Sequence, residues 1–332
     1  MDDEVKRPDM NHSALLAAAK GLRPLIESKA DEAEQLTHMH DDVVGAMMEA
    51  GLYKMLFPKA LGGAELTLAQ ALEVNEAVSL ADGSTGWCLM VGVIELGNAG
   101  AYLPDSGVAR MFVNGSDMVL AGQGIPNGFA RPVDGGYQIH GEWRYASGVY
   151  HAQYIHTGCV LMDEDKPALD ENGNVKLVLC HVPRSDIVVV EDWDTIGLRA
   201  TGSYDYSIKD AFVPEDMTYQ YIDTPVMRGG AMYRIGIAGW TAWGHTAFAL
   251  GVGRRALDEL AELARAKRNP WGLVGEAAAF KEKFALAEAK YRAARALCYE
   301  AWNDLDEAMA RDEYPSLEQI ALIRLAMRYL HD

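Results

Sequence analysis

Cysteine is scarce and scattered. Cys88, Cys159, Cys180 and Cys298 contain no CxxC pair, so neither a zinc site nor a disulfide framework is expected, and a reducing cytoplasm suits the chain. Long apolar runs are missing too: no stretch reaches the roughly 18 residues of a membrane span. The start, MDDEVKRPDMNH, lacks the hydrophobic segment of a secretory signal. Membrane spanning or anchoring is therefore not expected. Positive charge is in deficit, with 30 Lys and Arg against 48 Asp and Glu and a formal charge of −18, which repels a phosphate backbone and argues against a nucleic-acid partner. Internal repeats and low-complexity tracts are also lacking. What is present is 332 residues, 49% of them hydrophobic, enough for a sizeable core divided among two or three compact units.

Helical spacing dominates residues 13–115. Leu15, Leu16, Ala19, Leu22, Leu25 and Ile26 recur at intervals of three and four and build one buried stripe. A helix over 41–50 opens on acidic residues and stops at Gly51, which tolerates a left-handed closing conformation. The Gly62-Gly63 pair reads as a compact turn, and helices resume over 67–80 and 84–97. From about Met118 the character changes to Gly, Val, Ile, Tyr and Thr, with turn dipeptides at Asn127-Gly128, Asp134-Gly135 and Asn172-Gly173. This predicts an antiparallel β domain whose clearest strands are 137–143 and 176–183. Helical spacing returns over 232–267, breaks at Asn269-Pro270, and resumes over 275–311. A last helix opens near Ser316, with Gln319 placed for a capping box, and runs to Asp332 without a closing signal. The expected units are a helical domain over 1–117, a β domain over 118–225 and a helical bundle over 226–332. A bundle usually wants a fourth helix, so the last unit is expected to be incomplete.

An α, β, α order offers a crevice for a ligand but does not by itself choose an enzyme over a binding module or a scaffold. Several short motifs go further. They are Gly51-Leu-Tyr-Lys-Met-Leu-Phe-Pro58 with Gly62-Gly63, Gly86-Trp87, Pro126-Asn-Gly-Phe-Ala130, Gly135-Gly-Tyr137, Gly141-Glu-Trp-Arg-Tyr-Ala-Ser-Gly148, and Gly197-Leu-Arg-Ala-Thr-Gly-Ser203 leading to Phe212-Val-Pro214. In order and spacing they resemble the acyl-CoA dehydrogenase superfamily, and within it the two-component flavin-dependent monooxygenases. The resemblance covers nearly the whole chain. It implies an α+β, acyl-CoA dehydrogenase-like fold with an N-terminal helical domain, a middle antiparallel β domain and a C-terminal helical bundle.

The resemblance also assigns candidate roles. Ser147 matches a hydroxyl residue that hydrogen-bonds the flavin near N5 and O4, a task for a group that both donates and accepts; read locally, it is a strand-end cap. Tyr145, expected on the same strand face, matches an aromatic that packs on the ring. Gln123 and Gly124 fall where backbone passes along the flavin, with Gly148 beside Ser147. Arg199, Thr201 and Ser203 are candidates for flavin phosphate or substrate, or form an ordinary turn. Arg268 matches an arginine that reaches the cofactor phosphates of a neighbouring subunit, although cations favour helix C-termini anyway. His151 and His245 are the candidate catalytic bases, because imidazole titrates near neutral pH. His151 and His156, five residues apart on an expected strand, do not read as a metal pair, and no metal is expected.

Two departures matter. Gly124-Ile125-Pro126 stands where true acyl-CoA dehydrogenases carry Thr-Glu-Pro, and the residues after Trp87 include no histidine as far as Glu95. The leading expectation is an oxygenase that takes reduced FMN or FAD from a separate flavin reductase, forms a flavin C4a-peroxide and hydroxylates an aromatic or heteroaromatic substrate. Its expected assembly is a homotetramer. The alternatives are an acyl-CoA dehydrogenase using FAD on an acyl thioester, and a non-catalytic oligomeric interaction protein of the same fold.

Overall fold

The computed structural model describes residues 10–222 and 224–332. Helices come first: α1 (His12–Gly21), α2 (Arg23–Leu36), α3 (Asp41–Glu49), α4 (Leu68–Ala81), α5 (Gly83–Tyr102) and α6 (Asp105–Met111). Each start has a visible cause. Asn11 caps α1 through its side chain, Thr67 and Gln70 form a reciprocal capping box on α4, and Asp82 accepts from Thr85 N at the head of α5. Gly51 closes the turn after α3 at φ +75°, where a Cβ would strike the Met10 sulfur. α5 is apolar on nearly every side and is accordingly buried along its whole length.

The sheet follows. Its strands are β1 (Val119–Val133), β2 (Gly136–Ala146), β3 (Ala152–Asp163), β4 (Lys166–Pro167), β5 (Leu177–Pro183), β6 (Val188–Val190), β7 (Tyr204–Pro214) and β8 (Thr218–Gln220). They run in the order β6-β7-β2-β1-β3-β5-β8, with β4 paired to β3. Two expectations fail here. The sheet is not wholly antiparallel, because β1 and β3 pair in parallel from Val119↔Ala152 onward. That arrangement sends the connection from β2 to β3, the segment carrying Ser147, past the N-terminal end of β1. Nor is Asn127-Gly128 a turn. β1 runs through it with a register shift between Gln123 and Gly128, and the glycine is required by packing: a Cβ at Gly128 would lie 2.1 Å from the Trp143 ring. Trp143 itself is buried, stacks on Tyr206 with ring centroids 5.3 Å apart, and donates from Nε1 to Gly158 O at 2.9 Å.

The chain then returns to helices α7 (Gly236–Ala266), α8 (Ala278–Ala310) and α9 (Leu317–His331). A short hairpin, β9 (Arg268–Asn269) with β10 (Gly272–Leu273), separates the first two. α7 packs along α4 and α5, and α8 along α4 and α9. The capping box at Ser316 and Gln319 is formed. One apolar cluster runs continuously from Leu15 in α1 through the sheet to Ala326 in α9. Among the described residues no helix is long and apolar enough to cross a membrane.

Candidate functional site

Ser147 follows β2 directly, and the end of that strand is irregular. The pairing of β2 with β7 shifts register between Trp143 and Ala146, and Tyr145 adopts φ +64°. Such a bulge breaks the two-residue alternation of a strand. Tyr145 and Ser147 therefore do not share a face: Tyr145 is 56% exposed and Ser147 is buried.

Ser147 belongs to a chain of hydroxyls. Trp87 Nε1, from α5, donates to Ser147 Oγ at 2.9 Å; Ser147 Oγ and Ser203 Oγ are 2.7 Å apart, as are Ser203 Oγ and Thr201 Oγ1; and Thr201 Oγ1 donates to Leu198 O at 2.8 Å. Each hydroxyl has one proton. Thr201 uses its proton on the Leu198 carbonyl, so Ser203 donates to Thr201 and Ser147 donates to Ser203. The chain is thereby polarised from one end. Ser147, donating to Ser203 and accepting from Trp87, keeps one free acceptor lone pair and no free proton. Gly148 N donates to Thr201 O at 2.8 Å, which joins the β2 end to the turn over Arg199–Thr201.

Trp87 carries the site across to α7. Its ring meets His245 edge-on at 5.4 Å and Phe248 at 5.0 Å, and His245 faces His331 at 6.1 Å. Burial, aided by His331, lowers the His245 pKa. Trp193, edge-on to Tyr145 at 6.1 Å, donates to the same Leu198 carbonyl that Thr201 uses. Arg199 is tied to Asp194 Oδ1 at 2.9 Å and to Thr195 O at 3.0 Å. Gln123 bridges strands, donating to Arg144 O at 3.4 Å and accepting from Ile125 N at 3.2 Å.

The structure gathers Ser147, Gly148, Thr201 and Ser203 at one point, with His245 reached through Trp87. Others lie apart. His151 is in the 3-10 turn Val149–His151 rather than on a strand, and its Nε2 meets Asp41 Oδ1 at 2.9 Å beside the stacked His38 and Tyr150 rings. Burial lowers its pKa against the pull of Asp41. Arg268 is exposed on β9, and the stretch of α7 between Phe248 and that hairpin puts it roughly 30 Å from Trp87's partners at 1.5 Å per residue.

A second cluster escaped the reading of the sequence. Glu95 on α5 meets His156 of β3, Oε2 against Nδ1, in an ion-pair contact. His156 and His181 stand opposite one another on β3 and β5, with rings edge-on at 5.5 Å, and Tyr219 of β8 lies 5.5 Å from His181. His156 Nε2, His181 Nε2, Tyr219 OH and Asn98 Oδ1 are buried without a hydrogen-bond partner. Burial and the neighbouring His156 drive the His181 pKa down to about 3. Sequence spacing carried no signal for this group, because only the strand register brings the two histidines face to face.

Comparison with known proteins places this geometry. Residues 13–100 match the acyl-CoA dehydrogenase N-terminal domain and residues 229–332 the acyl-CoA dehydrogenase C-terminal domain. The chain is 31% identical to the indole-3-acetate monooxygenase of Pseudomonas putida over 95% of its own length and 80% of that protein. Its fold matches the HsaA monooxygenase from M. tuberculosis with a TM-score of 0.84 at 23% identity, covering 96% of this chain and 83% of that one. It also matches XiaF from Streptomyces sp., solved in complex with FADH2 and glycerol, with a TM-score of 0.82 at 21% identity over 96% and 81%.

Proposed function

The chain belongs to the acyl-CoA dehydrogenase family, in its flavin-dependent monooxygenase branch, and from that premise we propose that it hydroxylates an aromatic or heteroaromatic small molecule using reduced flavin and O2. The flavin, FMN or FAD, supplies the oxygen-activating redox chemistry. This chain's residues hold, orient and shield it.

The observation that carries the reading is the direction of the hydroxyl chain. Reduced flavin bears a hydrogen on N5 and donates there, whereas oxidised flavin only accepts at N5. Ser147 has its proton engaged by Ser203 and offers a lone pair alone, so it suits the reduced state. The donor set therefore fits a flavin edge. Ser147 would hold N5, with Thr201 and Ser203 fixing its polarity and Gly148 its backbone. Tyr145 would flank the ring, and Gln123 and Gly124 would pass beneath it. Arg199, and Arg268 from a neighbouring subunit, would meet the phosphates. His245, in contact with Trp87, is the better placed of the two candidate histidines. A separate flavin reductase supplies the reduced cofactor, the assembly is a homotetramer, and four buried free thiols suit a reducing cytoplasm.

Anaerobic titration with oxidised and reduced FMN and FAD tests this. Reduced flavin is expected to bind at least about tenfold tighter, the worth of roughly one buried hydrogen bond. Ser147→Ala should weaken reduced-flavin binding by about tenfold, and Ser203→Ala, by releasing the Ser147 proton, should narrow the preference for the reduced state by a similar factor. Equal affinity for both redox states, with no oxygen from O2 incorporated into any aromatic compound offered, would overturn the reading.

A further inference from the structure

The connection that carries Ser147 is short: only residues 147–151 stand between the end of β2 and the start of β3. Its backbone is tied to the sheet domain. Gly148 N donates to Thr201 O at 2.8 Å, Arg184 Nε donates to Val149 O at 3.3 Å, and Gln153 Nε2 donates to His151 O at 3.0 Å. Its side chains reach elsewhere. Tyr150 stacks on His38 with ring centroids 3.6 Å apart, and His151 Nε2 lies 2.9 Å from Asp41 Oδ1 at the head of α3. His151 N also closes the 3-10 turn onto Gly148 O at 3.2 Å, with Gly148 at φ +79°. Any displacement of His151 is therefore passed through one tight turn to Gly148 and Ser147.

The hydrogens on the His151 ring can be assigned. Asp41 is 80% exposed, and the hydrogen bond from His151 holds its carboxyl below the ordinary range, so it is ionised and accepts. Nε2 then carries the hydrogen. Nδ1 is buried and finds no hydrogen-bond partner among the described residues. A proton there would be desolvated with nothing to receive it, which is why burial outweighs Asp41 and the ring stays neutral. The charged and titratable groups around the ring are Asp41, His40 and the edge-on His38 from the link between α2 and α3, Tyr150 on its own turn, and Arg184 beside Val149. A protonated His38 opposes a charge on His151 as well.

We propose that His151 is a positioning residue for the flavin site: by donating from Nε2 to Asp41 it clasps the connection between β2 and β3 to α3, and so fixes where the Ser147 hydroxyl sits. This role rests on the monooxygenase reading and adds to it a dependence of flavin binding on one contact between the N-terminal helices and the sheet. It also replaces the catalytic base expected of His151. A base needs a lone pair within reach of a substrate proton, and the free nitrogen of this ring is buried.

The clasp has a sign with pH. Once opened, the ring has both nitrogens in water and protonates near the ordinary 6.5, whereas the clasped ring takes up its proton only at a lower pH. The clasp is therefore complete above pH 6.5 and loosens as pH falls below it, by up to about tenfold in the opening equilibrium per pH unit.

Hydrogen exchange over residues 145–152, followed by mass spectrometry in the flavin-free full chain, reads the clasp directly. Anaerobic titration with reduced FMN and FAD reads its effect on the site. His151→Ala should lower protection over this segment by about tenfold and weaken reduced flavin by a similar factor, the worth of one hydrogen bond to a charged group. His151→Gln, which carries an amide N–H in place of Nε2, should restore most of both. On going about one unit below pH 6.5, protection should fall by up to about tenfold in the wild-type protein and stay level in His151→Gln. A parallel fall in the two proteins overturns the neutral clasp, and needs no variant that might fail to fold. Unchanged exchange in His151→Ala overturns the clasp altogether, while lost protection with unchanged affinity for reduced flavin overturns its positioning role; both leave the monooxygenase reading standing. A wild-type chain that binds neither flavin in either redox state overturns that reading, and the role of His151 toward flavin with it.

Discussion

His181 illustrates how one buried side chain ties this fold to pH. Its Nδ1 lies 3.3 Å from Met217 O and its Nε2 has no partner, an arrangement suited to a neutral ring that donates once. Burial, with His156 nearby, holds its pKa near 3 in the folded protein, down from an ordinary 6.5. Between those values an unfolded chain takes up a proton that the native chain refuses. The stability His181 contributes is therefore complete above pH 6.5 and declines as pH falls toward 3, by about 1.4 kcal/mol per pH unit inside that window. His181→Gln removes the titration and keeps a donor. Urea unfolding between pH 5 and 6.5, with both limits taken from this window, should then show a shallower loss of stability in the variant by about that slope. Equal slopes would mean that the native state protonates His181 freely. Ser147 teaches the complementary lesson, since its value as a candidate was legible from the motif around it but its missing proton was not. That followed only from counting hydrogens along Thr201 and Ser203.

At the scale of elements, the helices were legible because each carries its own signal. Thr67 with Gln70 and Ser316 with Gln319 mark starts that the structure keeps, and Gly51 marks the stop after α3. What the sequence hid is non-local. The parallel pairing of β1 with β3, the passage of β1 through Asn127-Gly128 and the meeting of His156 with His181 all depend on register, which local composition does not encode. The head of α4 shows another such dependence. Asp306, far along α8, accepts from Leu68 N at 2.9 Å and Ala69 N at 2.8 Å. It supplies from another helix what an N-cap usually supplies from the next residue, and the negative charge opposes the positive end of the helix dipole. Leu68 and Ala69 are buried, so water cannot replace it. Asp306→Ala should destabilise the protein by about 1–3 kcal/mol, read as a lower urea midpoint. A midpoint unchanged within error would show that the Thr67 box suffices to cap α4 alone.

At the scale of the whole molecule, the C-terminal helices leave apolar side chains without cover among the described residues. Every buried residue of α8 lies from Ala294 onward, so the first half of this long helix has no buried position. Leu286 in that half is 59% exposed, Leu260 and Leu263 on α7 are 42% and 55% exposed, and Leu325 on α9 is 64% exposed; at the hairpin joining α7 to α8, Trp271 is 90% exposed. Scattered exposed leucines are ordinary, but apolar side chains gathered on the helices of one bundle mark an interaction surface. The occupant we favour is a second copy of the chain, because the same surface on each copy can pair about a two-fold axis; that contact closes a dimer, and a second, different two-fold contact would close the tetramer. Arg268, stranded far from Ser147 within its own subunit, lies beside this surface and would be delivered to a neighbour's flavin by the same contact. Multi-angle light scattering at micromolar concentration should give four times the 36.3 kDa of one chain. Leu286→Glu, which places a charge on the uncovered half of α8, should lower that mass and, with it, the affinity for flavin. A well-folded monomer that binds reduced flavin as tightly as the assembled protein would remove both the tetramer and the cross-subunit role of Arg268.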